Sequence, residues 1–171
     1  MNQKIQEAVE RLEALSGQSA RDKLNAFVDE AAALTDSKLA YFAAVNDKED
    51  VLTMLGWSRV AMENCSMIDK PLVYPVEETG VWGDCIRERK PVIINDYPAC
   101  EKVTKKGYPA GHVEVSRHAN LPIWEGSHIA GVLGVGNKAT AYGDEDMAIL
   151  SEYAQKAWDF LRKEVVDEMS V

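Results

Sequence analysis

The chain has 171 residues, 46% of them apolar, and a formal net charge of −9. This length suits one domain with a substantial core. The negative charge repels phosphate backbones and anionic headgroups, and no Lys/Arg cluster larger than Lys105-Lys106 offsets it, so neither nucleic acid nor a membrane surface is expected as a partner. Apolar runs break within about ten residues, against the ~20 a membrane-spanning helix needs, and the N-terminus carries no apolar signal stretch, so a cytoplasmic protein is expected. Cys65, Cys85 and Cys100 are odd in number and lack CxxC spacing, which points to free thiols rather than a disulfide framework or a zinc site.

Residues 2 to 15 place Ile5, Ala8, Val9, Leu12 and Leu15 on one stripe at helical spacing, ending near Gly17. Ser19 and Asp22 resemble a capping box, and Leu24, Phe27, Val28, Ala31 and Leu34 continue a second helix. Lys38 to Val45 and Val51 to Trp57 then read as a hairpin about a polar turn, residues 46–50. Leu72 to Val76 is a short strand, Val81 to Arg89 a small helix with Val81, Trp82, Cys85 and Ile86 on one face, and Pro91 to Asn95 another strand.

Residues 96 to 116 lack periodicity, and long irregular segments inside compact domains are often functional. From Ala119 strands resume: Leu121 to Trp124 and His128 to Gly136 form a second hairpin, whose glycines predict close packing against it. The last helix, Gly143 to about Glu168, starts on Asp144, Glu145 and Asp146, which complement the helix dipole. It carries a stripe of Met147, Leu150, Ala154, Ala157, Leu161 and Val165, with Ile149, Tyr153, Trp158 and Phe160 on other faces. The whole is an α+β layout with a mostly antiparallel sheet.

Residues 121 to 150, LPIWEGSHIAGVLGVGNKATAYGDEDMAIL, resemble the end of a GAF domain. Asn137, Lys138, Tyr142 and Asp146 stand where that family's Asn-Lys-(spacer)-Phe-x-x-x-Asp-Glu signature places them, with Tyr for Phe and Met147 for the final Glu. Residues 78 to 97, ETGVWGDCIRERKPVIINDY, resemble its Gly-x-x-Gly helix followed by Lys-Pro-Val and a strand. The resemblance covers roughly residues 20 to 165. It implies a central six-stranded antiparallel sheet flanked by helices, as in GAF and PAS domains, and a small-molecule pocket between the sheet and the segments joining its middle strands. A sensory domain over residues 19–168 is then expected, preceded by an amphipathic helix over 1–18, with output to a partner such as a histidine kinase or cyclase of a two-component system. The resemblance names no ligand or cofactor.

Tyr97, Tyr108, His112, Arg117 and His118 bring hydrogen-bonding and cationic groups to the segment that roofs the pocket in similar proteins, suited to an anionic or polar ligand. Trp82 and Cys85 share a face of the small helix, where ligand contact competes with plain core packing. No metal is expected from two histidines without carboxylate or thiolate spacing. Free methionine sulfoxide reductases, which are built on the same domain, are the enzymatic alternative. Where they are similar to Gly-Val-Cys-Gly this chain reads Gly80-Val81-Trp82-Gly83, so a non-enzymatic sensor is the stronger expectation. A bilin chromophore has only Cys100 in its favour. Two apolar faces on the last helix, and an N-terminal stripe preceding the part that resembles the family, lead to the expectation of a homodimer paired through its terminal helices.

Overall fold

The structure is a computed structural model that describes residues 2–59, 73–107 and 114–169. Helix α1 spans Gln3–Glu13, with the Asn2 side chain accepting from Lys4 N at 2.9 Å. Helix α2 spans Ala20–Leu34 and is capped by Ser19, whose Oγ accepts from Asp22 N at 3.1 Å. Strands β1 (Leu39–Val45) and β2 (Val51–Trp57) follow. Their turn closes on Asn46, whose Oδ1 accepts from the backbone of Asp50 and Val51 at 3.0 and 2.9 Å.

Strand β3 (Val73–Pro75) leads through two 3₁₀ turns, Val76–Glu78 and Val81–Gly83, into the short α3 (Asp84–Arg87) and β4 (Val92–Ile94). The hairpin β5 (His118–Glu125) and β6 (His128–Gly136) then feeds the long α4 (Asp144–Met169). The predicted single helix over 81–89 is therefore a 3₁₀ turn and one α-turn. Gly83 is the reason for its tight start, because a Cβ there would lie 1.8 Å from Thr79 Oγ1. The strand expected over Leu121 to Trp124 extends from His118 to Glu125.

All neighbouring strands pair antiparallel, in the order β3-β2-β1-β6-β5-β4. The sheet separates two apolar clusters. On one face α1, α2 and α4 cover Phe42, Ala119, Leu121, Ile123 and Leu133. On the other, the turns, α3 and the following loop cover Ala43, Val45, Leu52, Ile129 and Val132.

The helical layer shows where the two apolar stripes pack. Ile5, Ala8 and Leu12 of α1 are buried to within 1% of complete, packed with α2 and α4 of the same chain. Tyr153 and Trp158, assigned from sequence to a second face of α4, are buried in that same cluster, and Ile149 and Phe160 pack partly against it. Tyr153 stacks on Phe27 at 5.2 Å and donates to the Phe27 carbonyl at 2.9 Å. A helix wedged between a sheet and two other helices needs a wider apolar arc than a surface helix, and that is how α4 uses both sets of residues. Most of the two apolar stripes is thus covered within one molecule, while Val9, Leu15, Ile149 and Phe160 stay half-buried.

Leu12→Ala is expected to cost about 2–5 kcal/mol, as other buried leucine truncations do. Urea unfolding of wild type and variant measures this. The wild-type midpoint should not change over a hundredfold range of protein concentration, since the stripe needs no second copy.

Candidate functional site

The face opposite the long helices is apolar except for one row of polar side chains. Tyr41 on β1 and Asn120 on β5 are both register partners of Gly134 on the intervening β6. A Cβ on Gly134 would lie 2.1 Å from the Tyr41 ring and 2.5 Å from Asn120 Oδ1. The missing side chain lets the Tyr41 ring lie across β6, so that its hydroxyl donates to Asn120 Oδ1. Asn120 Nδ2 in turn lies 2.8 Å from Nδ1 of His118, two residues earlier on the same face of β5.

Aromatic rings enclose this row. Trp82 meets Tyr41 edge-on at 6.0 Å and Tyr74 at 5.6 Å, and the Tyr97 ring lies 5.7 Å from that of His118. Cys85 is fully buried beneath, in the cluster that includes Val81, Ile86 and Tyr97.

The segment over this face is held by a buried carboxylate. Asp84 Oδ1 accepts from Arg87 Nε and Nη2 at 3.0 and 2.6 Å, while Oδ2 accepts from Lys102 Nζ and Thr104 Oγ1, both at 2.9 Å. Arg87 also donates to the carbonyls of Val76 and Gly80 at 2.8 and 2.6 Å. Burial pushes the Asp84 carboxyl up, but these donors outweigh it and hold it below its ordinary value. The carboxylate therefore stays charged and pins residues 102–104 to α3.

The polar groups facing the interior are neutral. Burial raises the Cys85 thiol to about 12, with Asp84 adding to the effect, and raises the Tyr41 phenol well above 10. Burial pulls His118 down to about 4, against a smaller upward pull from Asp84.

Of the residues expected at the site, Trp82, Cys85, Tyr97 and His118 do come together on this face. Arg117 does not join them. Its Nη1 donates to the Lys138 carbonyl at 2.6 Å, its Nε is enclosed without a partner among the described residues, and its charge acts on Tyr142 at the start of the helical layer. Strand alternation explains this, because consecutive residues of β5 and its lead-in face opposite ways. Tyr108 and His112 lie outside the described residues, as does Cys65. Sequence reasoning missed Tyr41 and Asn120, although the glycine at 134 inside an apolar strand was a usable signal.

The signature residues play structural parts. Lys138 Nζ meets Asp146 at 2.7 Å, and Asp146 also accepts from Gly143 N at 3.0 Å. Asn137, at φ +60°, donates to the Glu114 carbonyl at 2.7 Å and accepts from Ser116 N at 2.8 Å. Asn95, just past β4, brackets the Tyr142 backbone, accepting at 2.7 Å and donating at 3.1 Å. Both asparagines tie segments bordering the polar face to the lead-in of α4. No group of three or more potential metal ligands occurs among the described residues.

A model of the GAF domain matches residues 17–162. The methyl sulfide methyltransferase-associated sensor of Methanosarcina acetivorans is 42% identical over 162 residues, covering 95% of this chain. The chain spans only 16% of that sensor's length. The fold is similar to that of the GAF domain from an Acinetobacter phosphoenolpyruvate-protein phosphotransferase, with a TM-score of 0.71 at 13% identity, covering 98% of this chain and 93% of the other. It is also similar to the free methionine-R-sulfoxide reductase of Neisseria meningitidis, with a TM-score of 0.62 at 16% identity, covering 93% and 90% of the two chains.

His118 makes stability depend on pH. Its proton affinity is lower folded than unfolded, so its contribution is complete above pH 6.5 and is lost as pH falls from 6.5 toward 4. The loss is expected to be about 2–3 kcal/mol, at roughly 1.4 kcal/mol per tenfold change in proton affinity. In urea unfolding at pH 7, 5.5 and 4.5, His118→Gln should flatten the decline seen in wild type.

Proposed function

The chain belongs to the GAF domain family, and we propose that it is the ligand-binding module of a sensor, taking a small, flat molecule against the Tyr41–Asn120–His118 row. The observation that carries this reading is the row itself. Three hydrogen-bonding side chains sit on an otherwise apolar sheet face edged by aromatic rings, the mixture that small-molecule sites use. Such a wall favours a ligand that is aromatic or apolar where it is buried and uncharged where it meets the row, because no group of the row carries a charge at neutral pH.

Occupancy has a short physical path to α4. A ligand that displaces the roof shifts Asn95 or residues 114–116, and these are bonded to Tyr142 and Asn137 at the entry to the helix. A small displacement there moves a 26-residue helix. A histidine kinase or cyclase partner of a two-component system would read that movement. The resemblance to a named sensor supports the sensory role.

A thiol-dependent reductase is the alternative, since the same fold carries that activity in Neisseria. The surroundings of Cys85 speak against it. A fully buried thiol raised to about 12 supplies almost no thiolate at neutral pH, and the thiolate is the nucleophile. Trp82 also stands where the reductase motif has cysteine.

Two measurements check this. Native mass spectrometry of protein purified from cells should find a retained small molecule, which Trp82→Ala loses by at least tenfold in occupancy. A bare mass in the wild type, together with no stabilisation by extracted metabolites, would remove the sensor reading. Thioredoxin-coupled NADPH oxidation with free methionine sulfoxide should stay at background, and a rate abolished by Cys85→Ser or Cys100→Ser would establish the reductase instead.

A further inference from the structure

We propose that His118 is the specificity-determining hydrogen-bond donor of this face: Tyr41 and Asn120 lock its imidazole with the proton on Nε2, and that N–H selects a ligand bearing an uncharged acceptor such as a carbonyl. The proposal rests on the reading of this face as a ligand site and adds the polarity of its recognition.

The lock follows from the inventory of donors and acceptors. In the structure the Tyr41 hydroxyl donates to Asn120 Oδ1, and the carboxamide stands in the orientation that this bond uses. The group left facing His118 Nδ1, at 2.8 Å, is the amide NH₂, which can only donate. Nδ1 must therefore accept, and a neutral imidazole that accepts at Nδ1 carries its proton on Nε2. Protonating the ring would set an N–H against the amide N–H, so the row opposes the imidazolium independently of burial.

The row is itself held rigidly. Asn120 is 1% exposed, and the Tyr41 ring lies between Trp82 and the Gly134 backbone. Among the described residues no acceptor is bonded to His118 Nε2, and the only fully enclosed side-chain polar atom without a partner is Arg117 Nε. Nε2 is therefore not fully enclosed, and its N–H is left over for a ligand acceptor on the ring that lies 5.7 Å from Tyr97.

An N–H that is desolvated by a ligand without an acceptor loses its hydrogen bond to water and gains nothing in return. This is the physical basis of selectivity. A carbonyl-bearing ligand is expected to bind about threefold to tenfold better than its hydrocarbon counterpart, the range of one neutral hydrogen bond.

The lock is tested on the ligand-free protein by long-range ¹H–¹⁵N correlation of ¹⁵N-histidine-labelled wild type. The expected pattern assigns the protonated nitrogen of His118 to Nε2 and keeps it so to pH 5. Asn120→Ala should release it to a mixture of tautomers with protonation moved toward pH 6.5. A proton on Nδ1, or an imidazolium at neutral pH in the wild type, overturns the lock. Recognition is tested by titrating indan-1-one and indene, flat bicycles of equal size that differ in the carbonyl. Indan-1-one should bind the tighter and move the His118 Nε2 resonance, and the preference should vanish in His118→Phe, or in His118→Leu should the first variant not fold. Equal binding of the two, or a preference that survives both variants, overturns the donor role and leaves the face a ligand site. Binding of neither overturns the donor role and the ligand-site reading together.

Discussion

One absent side chain organises the functional half of this molecule. Gly134 lies on the central strand β6, between register partners Tyr41 and Asn120, and any Cβ there would lie 2.1 Å from the Tyr41 ring. Without it a tyrosine from one strand crosses its neighbour and reaches an asparagine on the next. A hydroxyl and a carboxamide on strands that are not adjacent could not otherwise meet, since second-neighbour strands are about 9–10 Å apart. Once Tyr41 is bonded to Asn120, the amide is oriented and His118 follows. Gly131 does a similar service on the helical face, where a Cβ would lie 2.7 Å from the Phe42 ring. The two glycines let aromatic rings lie flat against opposite faces of the same strand.

The segment over the polar face is held chiefly by charge. Asp84 gathers Arg87, Lys102 and Thr104, and Arg87 carries the attachment on to the carbonyls of Val76 and Gly80. A buried carboxylate with four donors is costly to break, because removing one partner leaves charge without compensation. The same molecule also exposes Val103 completely, between the two anchoring residues Lys102 and Thr104. Around Asp84 the roof is thus held at points by charge, while Tyr97, Cys100 and Val115 pack on the apolar cluster beneath.

The likeness to methionine sulfoxide reductases shows how little of the chemistry is set by the fold. A cysteine helix on a GAF scaffold becomes reactive only when its thiol is exposed and its anion stabilised. Here Cys85 faces inward, where burial above all, and the neighbouring carboxylate of Asp84, disfavour a thiolate. Burial in the same cluster as Val81 and Ile86 makes it a small apolar residue in all but name.

Local periodicity and turn chemistry were enough to determine most of the elements. The capping serine of α2, the hairpin about Asn46, the glycine-bearing β6 and the acidic start of α4 were all legible, and with them the GAF family, because each depends on residues close in the chain. Trp82 and Cys85 on the small helix, and Tyr97 and His118 about the irregular segment, were each singled out in the sequence, and the structure brings them to one face of the sheet. Three things needed the tertiary structure. Arg117 and His118 are consecutive, yet the pleat sends them to opposite faces. The stripes of α1 and α4 suggested a partner, and only the packing of three helices on one sheet shows how much of them a single molecule covers. Tyr41 and Asn120 are 79 positions apart and become one hydrogen-bonded unit only through strand register across Gly134. Sequence spacing reports contacts along one element, whereas register between elements is decided by how the whole sheet packs.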